Sequence, residues 1–306
     1  MPNIVMEKNQ IYQAALRLYE QSSVIDSSKN ACDGARFCTL PGVQVFYRVA
    51  SHQKEPTVYQ PGLVFIFSGV KKGELGGRIF RYDSDNYLVL TSVYPFQSEV
   101  EATPTEPLLG IQIDLNRAMV VQMLYDIAQI EGETAPVSEH DAFGLECCPM
   151  SETLREQLLM LINTLQDPVA AQLFGHERVR SIVYTVLKSS NKNLLLNWAQ
   201  KEGLFAQFQK AANYIHQNYQ CAINIKVLSV ASGMSHSSLN RAFKRYAADS
   251  PLQYIKKIRL NFAKNKIVQG QSIQAAAREV GYESVSQFSR EFKRYFGHAP
   301  KHIKNT

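Results

Sequence analysis

The chain has 306 residues, of which 45% are hydrophobic and 20% charged, a composition typical of a globular protein large enough for two domains. No apolar run approaches the length of about 18 residues that a membrane span needs, and the N-terminus lacks a basic segment followed by an apolar core, so the sequence predicts neither a membrane span nor a secretory signal. Five cysteines, an odd number without the spacing of a disulfide framework, favour a reducing cytoplasm.

The net charge of +6 is unevenly distributed along the chain. Residues 201–306 contain 17 Lys and Arg against 5 Asp and Glu, whereas residues 1–200 contain 16 against 22. A basic C-terminal third joined to an acidic remainder fits an electrostatic footprint for phosphates.

The N-terminal part begins with a predicted helix and continues with short predicted strands. An apolar stripe predicts a helix over residues 7–24, and the polar residues 25–35 predict a loop. Short apolar or alternating runs then recur between Gly, Pro and Asp residues, and they predict strands at 43–49, 62–69, 77–83, 86–92, 96–102 and 108–115. Regularly spaced short strands indicate a sandwich or a small barrel.

These strands carry a candidate effector pocket, because the mouth of a barrel is a usual place for a small-molecule site. Its candidate residues are aromatic or polar: Tyr47, Arg48, Phe65, Phe67, Tyr82, Tyr94 and Phe96. Roughly half of them must point inward in an alternating strand. Each one alone is more typical of a packed core, and only the group predicts a pocket.

Residues 116–219 are predicted to be mainly helical. Apolar stripes predict helices at 116–130, 150–166, 176–187 and 204–219, separated by a linker at 131–140 and a short break at 189–193. Stripes of this kind are most often buried within the chain.

The C-terminal part contains a repeat with a period of 49 residues. Residues 235–251 and 284–300 are identical at 8 of 17 positions, and both contain Phe-Lys-Arg-Tyr. A Ser at the start of each copy suits a helix N-cap. In the helix that follows, Phe and Tyr fall on one face and Arg and Lys on the other.

A short apolar helix and a Gly precede each copy, which gives the helix-turn-helix pattern twice, at 225–246 and 272–295. Gly233 and Gly281 suit the turns. A predicted helix from Pro251 to Gln269 joins the two units and spans about 28 Å at about 1.5 Å per residue. Successive major grooves on one face of DNA lie about 34 Å apart, so both second helices could enter adjacent grooves.

These residues resemble the AraC/XylS family of bacterial transcription regulators over about 100 C-terminal residues. The shared pieces include Gly-Met-Ser at 233–235, Ser250-Pro251, Arg259-Leu260, Gly281-Tyr282 and Gly297 to Pro300. Lys266 departs from the family pattern, which commonly has Leu, and Ala248 stands where Gly is common.

Residues 59–115 resemble the N-terminal domain of one branch of AraC-type regulators. The matching pieces are Gln60-Pro61-Gly62, a turn at Gly69-Val70-Lys71, Tyr82-Asp83, and Ile113-Asp114-Leu115 before a helix. The resemblance implies a cupin-like barrel, and it implies that helices such as 116–130 or 150–166 pair two subunits.

The second helix of each unit is predicted to contact DNA. The candidate base contacts are the outward residues near each N-terminus: Ser237, Asn240, Arg241, Val285, Ser286, Gln287, Ser289 and Arg290. The candidate phosphate contacts lie further along the same helices: Lys244, Arg245, Lys293 and Arg294.

Catalytic motifs are missing from the sequence. His52 is the one histidine in the strand region, whereas a catalytic cupin needs several metal-binding histidines. The cysteines at 32, 38, 147, 148 and 221 lack the spacing of a zinc cluster. Cys38 or the Cys147-Cys148 pair could sense oxidants, although inert buried thiols fit better because no flanking cation lowers their pKa.

The sequence therefore predicts an α+β protein without a cofactor or a metal. Its expected parts are an N-terminal cupin-like regulatory barrel (1–140), a helical linker that could dimerise (141–200) and an AraC-type DNA-binding domain (201–306). The expected function is a cytoplasmic regulator that binds double-stranded promoter DNA, works with RNA polymerase, forms a homodimer and responds to an unknown effector. Two alternatives stay open: a regulator controlled by protein contacts alone, and a DNA-binding enzyme with its active site in the barrel.

Overall fold

The structure is a computed structural model that describes residues 2–24, 34–132, 144–189, 192–199 and 203–303. Its N-terminal part consists of two antiparallel sheets with helices, and its C-terminal part is helical. The predicted α+β fold is confirmed.

The N-terminal part starts with helix α1 (Pro2–Gln21) and ends its strand region with helix α2 (Arg117–Glu131). Between them lie the strands β1 (Ser23–Val24), β2 (Ala35–Phe37), β3 (Val43–Arg48), β4 (His52–Tyr59), β5 (Gly62–Ser68), β6 (Val70–Leu75), β7 (Arg78–Tyr82), β8 (Asn86–Leu90), β9 (Tyr94–Glu101) and β10 (Leu108–Asp114). One more strand, β11 (Leu145–Pro149), follows α2.

The remaining elements are helices: α3 (Glu152–Leu165), α4 (Pro168–Leu187), α5 (Lys192–Ala199), α6 (Gly203–Asn218), α7 (Ile225–Ser232), α8 (His236–Ala247), α9 (Pro251–Val268), α10 (Ile273–Glu279) and α11 (Val285–Phe296), with a 3-10 turn at Pro300–His302. Polar N-cap side chains explain where many of these helices begin. The Asp167 side chain, for example, accepts hydrogen bonds from two N–H groups of the first turn of α4, and Pro168 takes the first helical position.

The strands form a seven-stranded sheet (β1-β2-β3-β10-β5-β8-β11) and a four-stranded sheet (β4-β9-β6-β7). The two sheets, which we call the β domain, pack against each other through side chains such as Phe46 and Ile66 of the large sheet and Tyr82 and Phe96 of the small one. Strand β6 alternates half-buried and buried residues because only one of its faces turns towards this interior.

Five strands that the sequence pattern did not predict complete this arrangement: β1, which lies at the end of the predicted helix 7–24, and β2, β4, β6 and β11. Strand β4 (HQKEPTVY) is mostly polar, so it lacks the apolar alternation that marks a strand. Strand β6 follows directly on the turn at Gly69, and β11 pairs with β8 although residues 141–200 were expected to be helical. A pairing partner 55 residues away leaves no local signal, which explains why β11 was missed.

Other predicted boundaries shift or lie outside the described residues. Ala35 begins a strand instead of ending the loop, while residues 25–33 are outside the described ranges, as are most of the linker at 131–140 and residues 190–191 of the predicted break. Helix α4 begins at Pro168, earlier than the predicted residue 176.

Three buried cores hold the described chain together. The first lies between the outer face of the large sheet and helices α1 to α5. The second runs from the interior between the two sheets into helices α6 to α9, and the third belongs to the segment from α9 to α11. The first helix-turn-helix unit therefore shares a core with the β domain, whereas the second unit has a core of its own.

Candidate nucleic-acid interface

The first helix-turn-helix unit consists of α7, a turn and α8. Asn224 caps α7, and Gly233 adopts a left-handed φ of 69° in the turn. The Ser235 hydroxyl then accepts a hydrogen bond from the Ser238 N–H and starts α8. Leu239 and Phe243 are fully buried on the inner face of α8, so the opposite face is presented to solvent.

The second unit repeats this construction with α10 and α11. The Ser272 hydroxyl caps α10, Gly281 has a φ of 86°, and the Ser284 hydroxyl accepts from the Gln287 N–H at the start of α11. Phe288 and Phe292 are fully buried. Both units therefore present the N-terminal part of their second helix in the same way, as the repeat predicted.

Helix α9 connects the two units, and Arg259 fixes it to the surrounding turns. Its guanidinium donates to the carbonyl oxygens of Tyr219, Cys221 and Gly281 at 2.7, 2.7 and 3.2 Å. Gly281 also packs tightly here. A Cβ at this position would lie 2.7 Å from the Gln220 carbonyl oxygen and 3.1 Å from the Arg259 guanidinium carbon. The connector, the segment between α6 and α7 and the turn of the second unit are thereby held together.

The residues that depart from the family pattern have local explanations. Lys266 forms a partly exposed ion pair with Glu279 at 2.5 Å. Ala248 ends α8 in the left-handed conformation at a φ of 55° and faces Gly76, where a Cβ would come within 2.5 Å of its methyl group. Leu252, an apolar residue in the first turn of α9, is exposed.

The predicted base contacts divide by accessibility. Ser237, Arg241, Ser286, Gln287 and Arg290 are exposed, whereas Asn240, Val285 and Ser289 are half-buried. Two amides already have partners within their own helix: Asn240 donates to the His236 carbonyl oxygen and Gln287 donates to Glu291. All eight lie on the second helices α8 and α11.

The predicted phosphate contacts are exposed on the following turn of each helix. In the described part of the chain, no carboxylate lies within ion-pair distance of Lys244, Lys293 or Arg294, and the Arg245 guanidinium lies 5.4 Å from the centre of the Tyr246 ring. Cations without an acidic neighbour are well suited to meet phosphates.

Two residues on these helices were missed by sequence reasoning. His236 is exposed in the first turn of α8, where base-contacting residues are expected. Glu291 lies on α11 and hydrogen-bonds with Gln287. A signal for Glu291 did exist, because position 291 holds an acid where the first copy has Ala242.

The seven candidate pocket residues do not converge on one place. Tyr47, Phe65 and Phe67 pack into the core under the helices, on the outer face of the large sheet. Tyr82 and Phe96 lie between the sheets, and Tyr94 stacks on Phe208 of α6 at 6.5 Å. Arg48 ends β3 and is half-buried. Alternation along a strand separates these residues onto opposite faces.

A different cleft opens at the seam between β7 and β11. It has a volume of about 390 Å³, with Leu75, Phe80 and Leu145 as apolar walls and Arg78 and Arg81 at the side. Leu75 immediately precedes Gly76, the residue that faces Ala248 at the end of α8. A wall residue of the cleft is therefore the chain neighbour of a residue that contacts the first helix-turn-helix unit.

Direct bonds join the β domain to the DNA-binding part. The Tyr254 hydroxyl of α9 donates to the Val93 carbonyl oxygen at 2.5 Å, and the Gln209 amide of α6 donates to the Thr91 carbonyl oxygen at 2.9 Å. Lys264 of α9 forms an ion pair with Glu55 of β4 at 2.9 Å. These contacts fix α6 and α9, the helices on either side of the first unit, to the β domain.

The described residues contain no group of His, Cys, Asp and Glu side chains that could hold a metal ion. Burial raises the pKa of the Cys38 thiol to about 11 and that of Cys147 to about 12, which keeps both protonated and weakly nucleophilic. Cys148 is buried, and Cys32 lies outside the described residues. None of the described helices has an apolar stretch long enough to cross a bilayer.

Two capped helix-turn-helix units on one chain, joined to a β domain, define the class of transcription regulators that carry a double DNA-binding unit. A family model for the N-terminus of AraC-type transcriptional regulators matches residues 39–194, more than half of the chain, and a helix-turn-helix domain model matches residues 228–306. The chain belongs to the family of AraC-type transcriptional regulators, which is a family of regulators and not of enzymes.

Individual relatives match over part of their length. The raffinose operon regulatory protein RafR of Pediococcus pentosaceus is 35% identical over 101 residues, which is 33% of this chain and 36% of that protein. The transcriptional activator RhaS of Pectobacterium carotovorum is 26% identical over 155 residues, 50% of this chain and 54% of that protein. The chain thus spans about a third to a half of the length of these relatives.

Solved structures share the fold over most of the chain. ToxT of Vibrio cholerae superposes with a TM-score of 0.60 at 12% identity, covering 85% of this chain and 96% of that one. ToxT with an unsaturated fatty acid bound gives 0.59 at 13% identity, covering 87% and 95%. At such identities the likeness concerns the fold alone.

Proposed function

We propose that the chain is a cytoplasmic regulator that binds double-stranded promoter DNA by placing α8 and α11 in adjacent major grooves. The observation that carries this proposal is the repeated construction of the two units, each with a Ser cap and an exposed, basic second helix. The residues that read bases are those predicted above on each second helix, with phosphate contacts from the following turn. As in other regulators, RNA polymerase is the expected partner at the promoter.

A promoter-occupancy map in the source cell tests this function and supplies the operator sequence. The variant to compare on that operator is Arg241→Ala, because Arg can pair bidentately with guanine and such a pair gives about 1–3 kcal/mol of discrimination. We expect the variant to discriminate less between bases at one or two positions of the operator, while its affinity for random DNA changes little. An equal loss on both DNAs would show that Arg241 contacts a phosphate only.

The N-terminal part, expected to cover residues 1–140, is proposed to modulate DNA binding through a small molecule. The cleft at the β7–β11 seam supports this proposal because it adjoins the Gly76–Ala248 contact, so a ligand that moves Leu75 also presses on the end of α8. An effector can shift DNA affinity only by its differential affinity for two arrangements, typically by about 1–3 kcal/mol.

Oleate is a suitable first probe because ToxT, which shares the fold, has been crystallised with an unsaturated fatty acid bound. We expect a ligand of the cleft to change operator affinity in the wild type and not in Leu145→Arg, which fills the cleft with a charged side chain. A response that survives Leu145→Arg would place the ligand elsewhere. If no member of a metabolite panel changes affinity, control by protein contacts alone is the better hypothesis.

The region 116–166 is proposed to pair two subunits. Tyr125 and Ile130 of α2 are 61% and 84% exposed, and Met160 of α3 is 46% exposed, so apolar surface is available on both helices. Sedimentation of the wild type and of Ile130→Glu tests the choice of helix. A dimer that Ile130→Glu does not weaken would leave α3 as the candidate, and a monomeric wild type would refute pairing.

A further inference from the structure

Position 291 is one at which the two helix-turn-helix copies differ sharply in chemistry. The first copy has Ala242 there, fully buried against the core of its unit. The second copy has Glu291, whose side chain is only 13% exposed. The second copy thus carries a carboxylate where the first has none, one helical turn after Gln287, a predicted base contact of α11.

Three donors from three elements surround this carboxylate. The Lys256 ammonium of α9 lies 2.9 Å from Oε1, and the Tyr282 hydroxyl, from the turn before α11, lies 2.8 Å from Oε2. The Gln287 amide nitrogen, four residues earlier on α11, lies 3.3 Å from Oε1. A largely buried charge is tolerated when it is paired and hydrogen-bonded in this way.

The carboxylate is ionised at neutral pH. Burial alone would raise the pKa of Glu291, but the hydrogen bonds from Lys256, Tyr282 and Gln287 outweigh it and hold the pKa below its usual value. An ionised carboxylate accepts hydrogen bonds and cannot donate one. The group that Gln287 turns towards Glu291 must therefore be its NH₂ and not its carbonyl oxygen.

This restraint selects what Gln287 can offer to a base. A Gln amide has one carbonyl acceptor and two N–H donors, and one N–H is committed to Glu291. The acceptor and the second N–H remain, on a side chain that is exposed. Adenine presents the complementary pair in the major groove, with a donor at N6 and an acceptor at N7.

We infer that Glu291 is a positioning residue for DNA specificity: it holds the Gln287 amide so that Gln287 recognises adenine at one base pair, without itself touching DNA. Lys256 and Tyr282 hold the carboxylate in place. The inference rests on the proposed function, in which α11 enters a major groove and Gln287 reads a base.

A purely structural role would look different. If Glu291 only braces α11 against α9, its loss lowers stability and weakens binding to every sequence alike. If it orients Gln287, its loss changes preference at the base pair that Gln287 reads and leaves affinity for unrelated DNA unchanged. The base-preference profile therefore separates the two roles.

The experiment is selection of duplexes from a library with a randomised segment, using the full chain. The variants are Glu291→Ala, Gln287→Ala and the double variant, with Glu279→Gln as a control. Glu279 also pairs with a lysine of α9, at 2.5 Å, but lies on α10 and is 46% exposed. Glu291→Asp keeps the charge and shortens the reach, and Glu291→Gln keeps an acceptor oxygen in place.

We expect Glu291→Ala and Gln287→Ala each to reduce the preference for adenine at the same base pair by at least about fivefold, the lower end of one bidentate pair. The double variant should lose no more than either single variant, and affinity for an unselected duplex should stay within about twofold. Glu291→Gln should retain most of the preference, Glu291→Asp should lose it, and Glu279→Gln should behave as the wild type.

Several results would overturn the inference. They are a full adenine preference in Glu291→Ala, a loss at another base pair or at many, additive losses in the double variant, and no effect of Gln287→Ala. If Glu291→Ala fails to fold, as judged by thermal unfolding, Glu291→Asp decides by the same criteria. A wild type that selects no sequence would instead refute the proposed function.

Discussion

The hydrogen bond between Tyr254 and Val93 offers a direct test of the core that the β domain shares with the first helix-turn-helix unit. Both residues are almost fully buried, and the hydroxyl donates to the carbonyl oxygen at 2.5 Å. Tyr254→Phe keeps the ring but leaves a buried carbonyl without this donor, which costs about 1–3 kcal/mol. Since each kcal/mol shifts the midpoint by about 2–4 °C in large domains, we expect a decrease of between about 2 and 12 °C.

Calorimetry of the full chain measures this shift, and Tyr295→Phe is the matched control. The Tyr295 hydroxyl accepts a hydrogen bond from Asn261 at 3.1 Å within the second unit, away from the β domain. We expect Tyr254→Phe to lower the midpoint temperature of the transition in which the shared core unfolds. Tyr295→Phe should leave that midpoint unchanged. An unchanged midpoint in Tyr254→Phe would refute the contribution of this bond to holding the two parts together.

Three further predictions follow from the geometry of the DNA-binding part. Gly281→Ala should destabilise this part and weaken operator binding, since the new Cβ would lie 2.7 Å from the Gln220 carbonyl oxygen. Gly270→Ala is the control, because its Cβ meets no atom within 4 Å at a similar φ. Its free energy of unfolding in urea should fall less than that of Gly281→Ala. Burial lowers the pKa of His216, so the folded chain binds fewer protons there than the unfolded chain does. The free energy of unfolding should therefore fall as the pH drops from about 7 to about 5, and His216→Gln should reduce that fall. Lys293→Ala should lower the slope of log affinity against log salt by about one, and an unchanged slope would exclude a phosphate contact.

Local signals were sufficient for the DNA-binding part. The repeat and the Ser caps predicted the starts of α8 and α11 to the residue, because each helix start is determined by hydrogen bonds within three positions of the cap. Strands were predictable where the run is largely apolar, as in β3 or β10, and not where polar residues dominate, as in β4.

Contacts between distant segments could not be predicted from the sequence. No pattern indicated that Tyr254 reaches Val93 or that the Gly76 turn meets Ala248, since these pairs are 161 and more residues apart. The candidate pocket shows the same limit, because the side of the sheet on which Phe65 or Tyr82 lies depends on register and packing. The cleft at the β7–β11 seam includes β11, a strand that its own sequence did not reveal.

The separate core of the second helix-turn-helix unit has a consequence for protein engineering. A chimera joined near residue 201 would replace α6 to α9 and break the aromatic packing of Tyr94 on Phe208, so the foreign segment would have to match the β domain of its host. A junction at Gly270, after α9, would exchange only α10 and α11, which would have to match Leu260, Ala263 and Ile267 of the retained α9 but no core residue of the β domain. Recombination among regulators of this family should therefore exchange half of the DNA-binding specificity more readily than all of it.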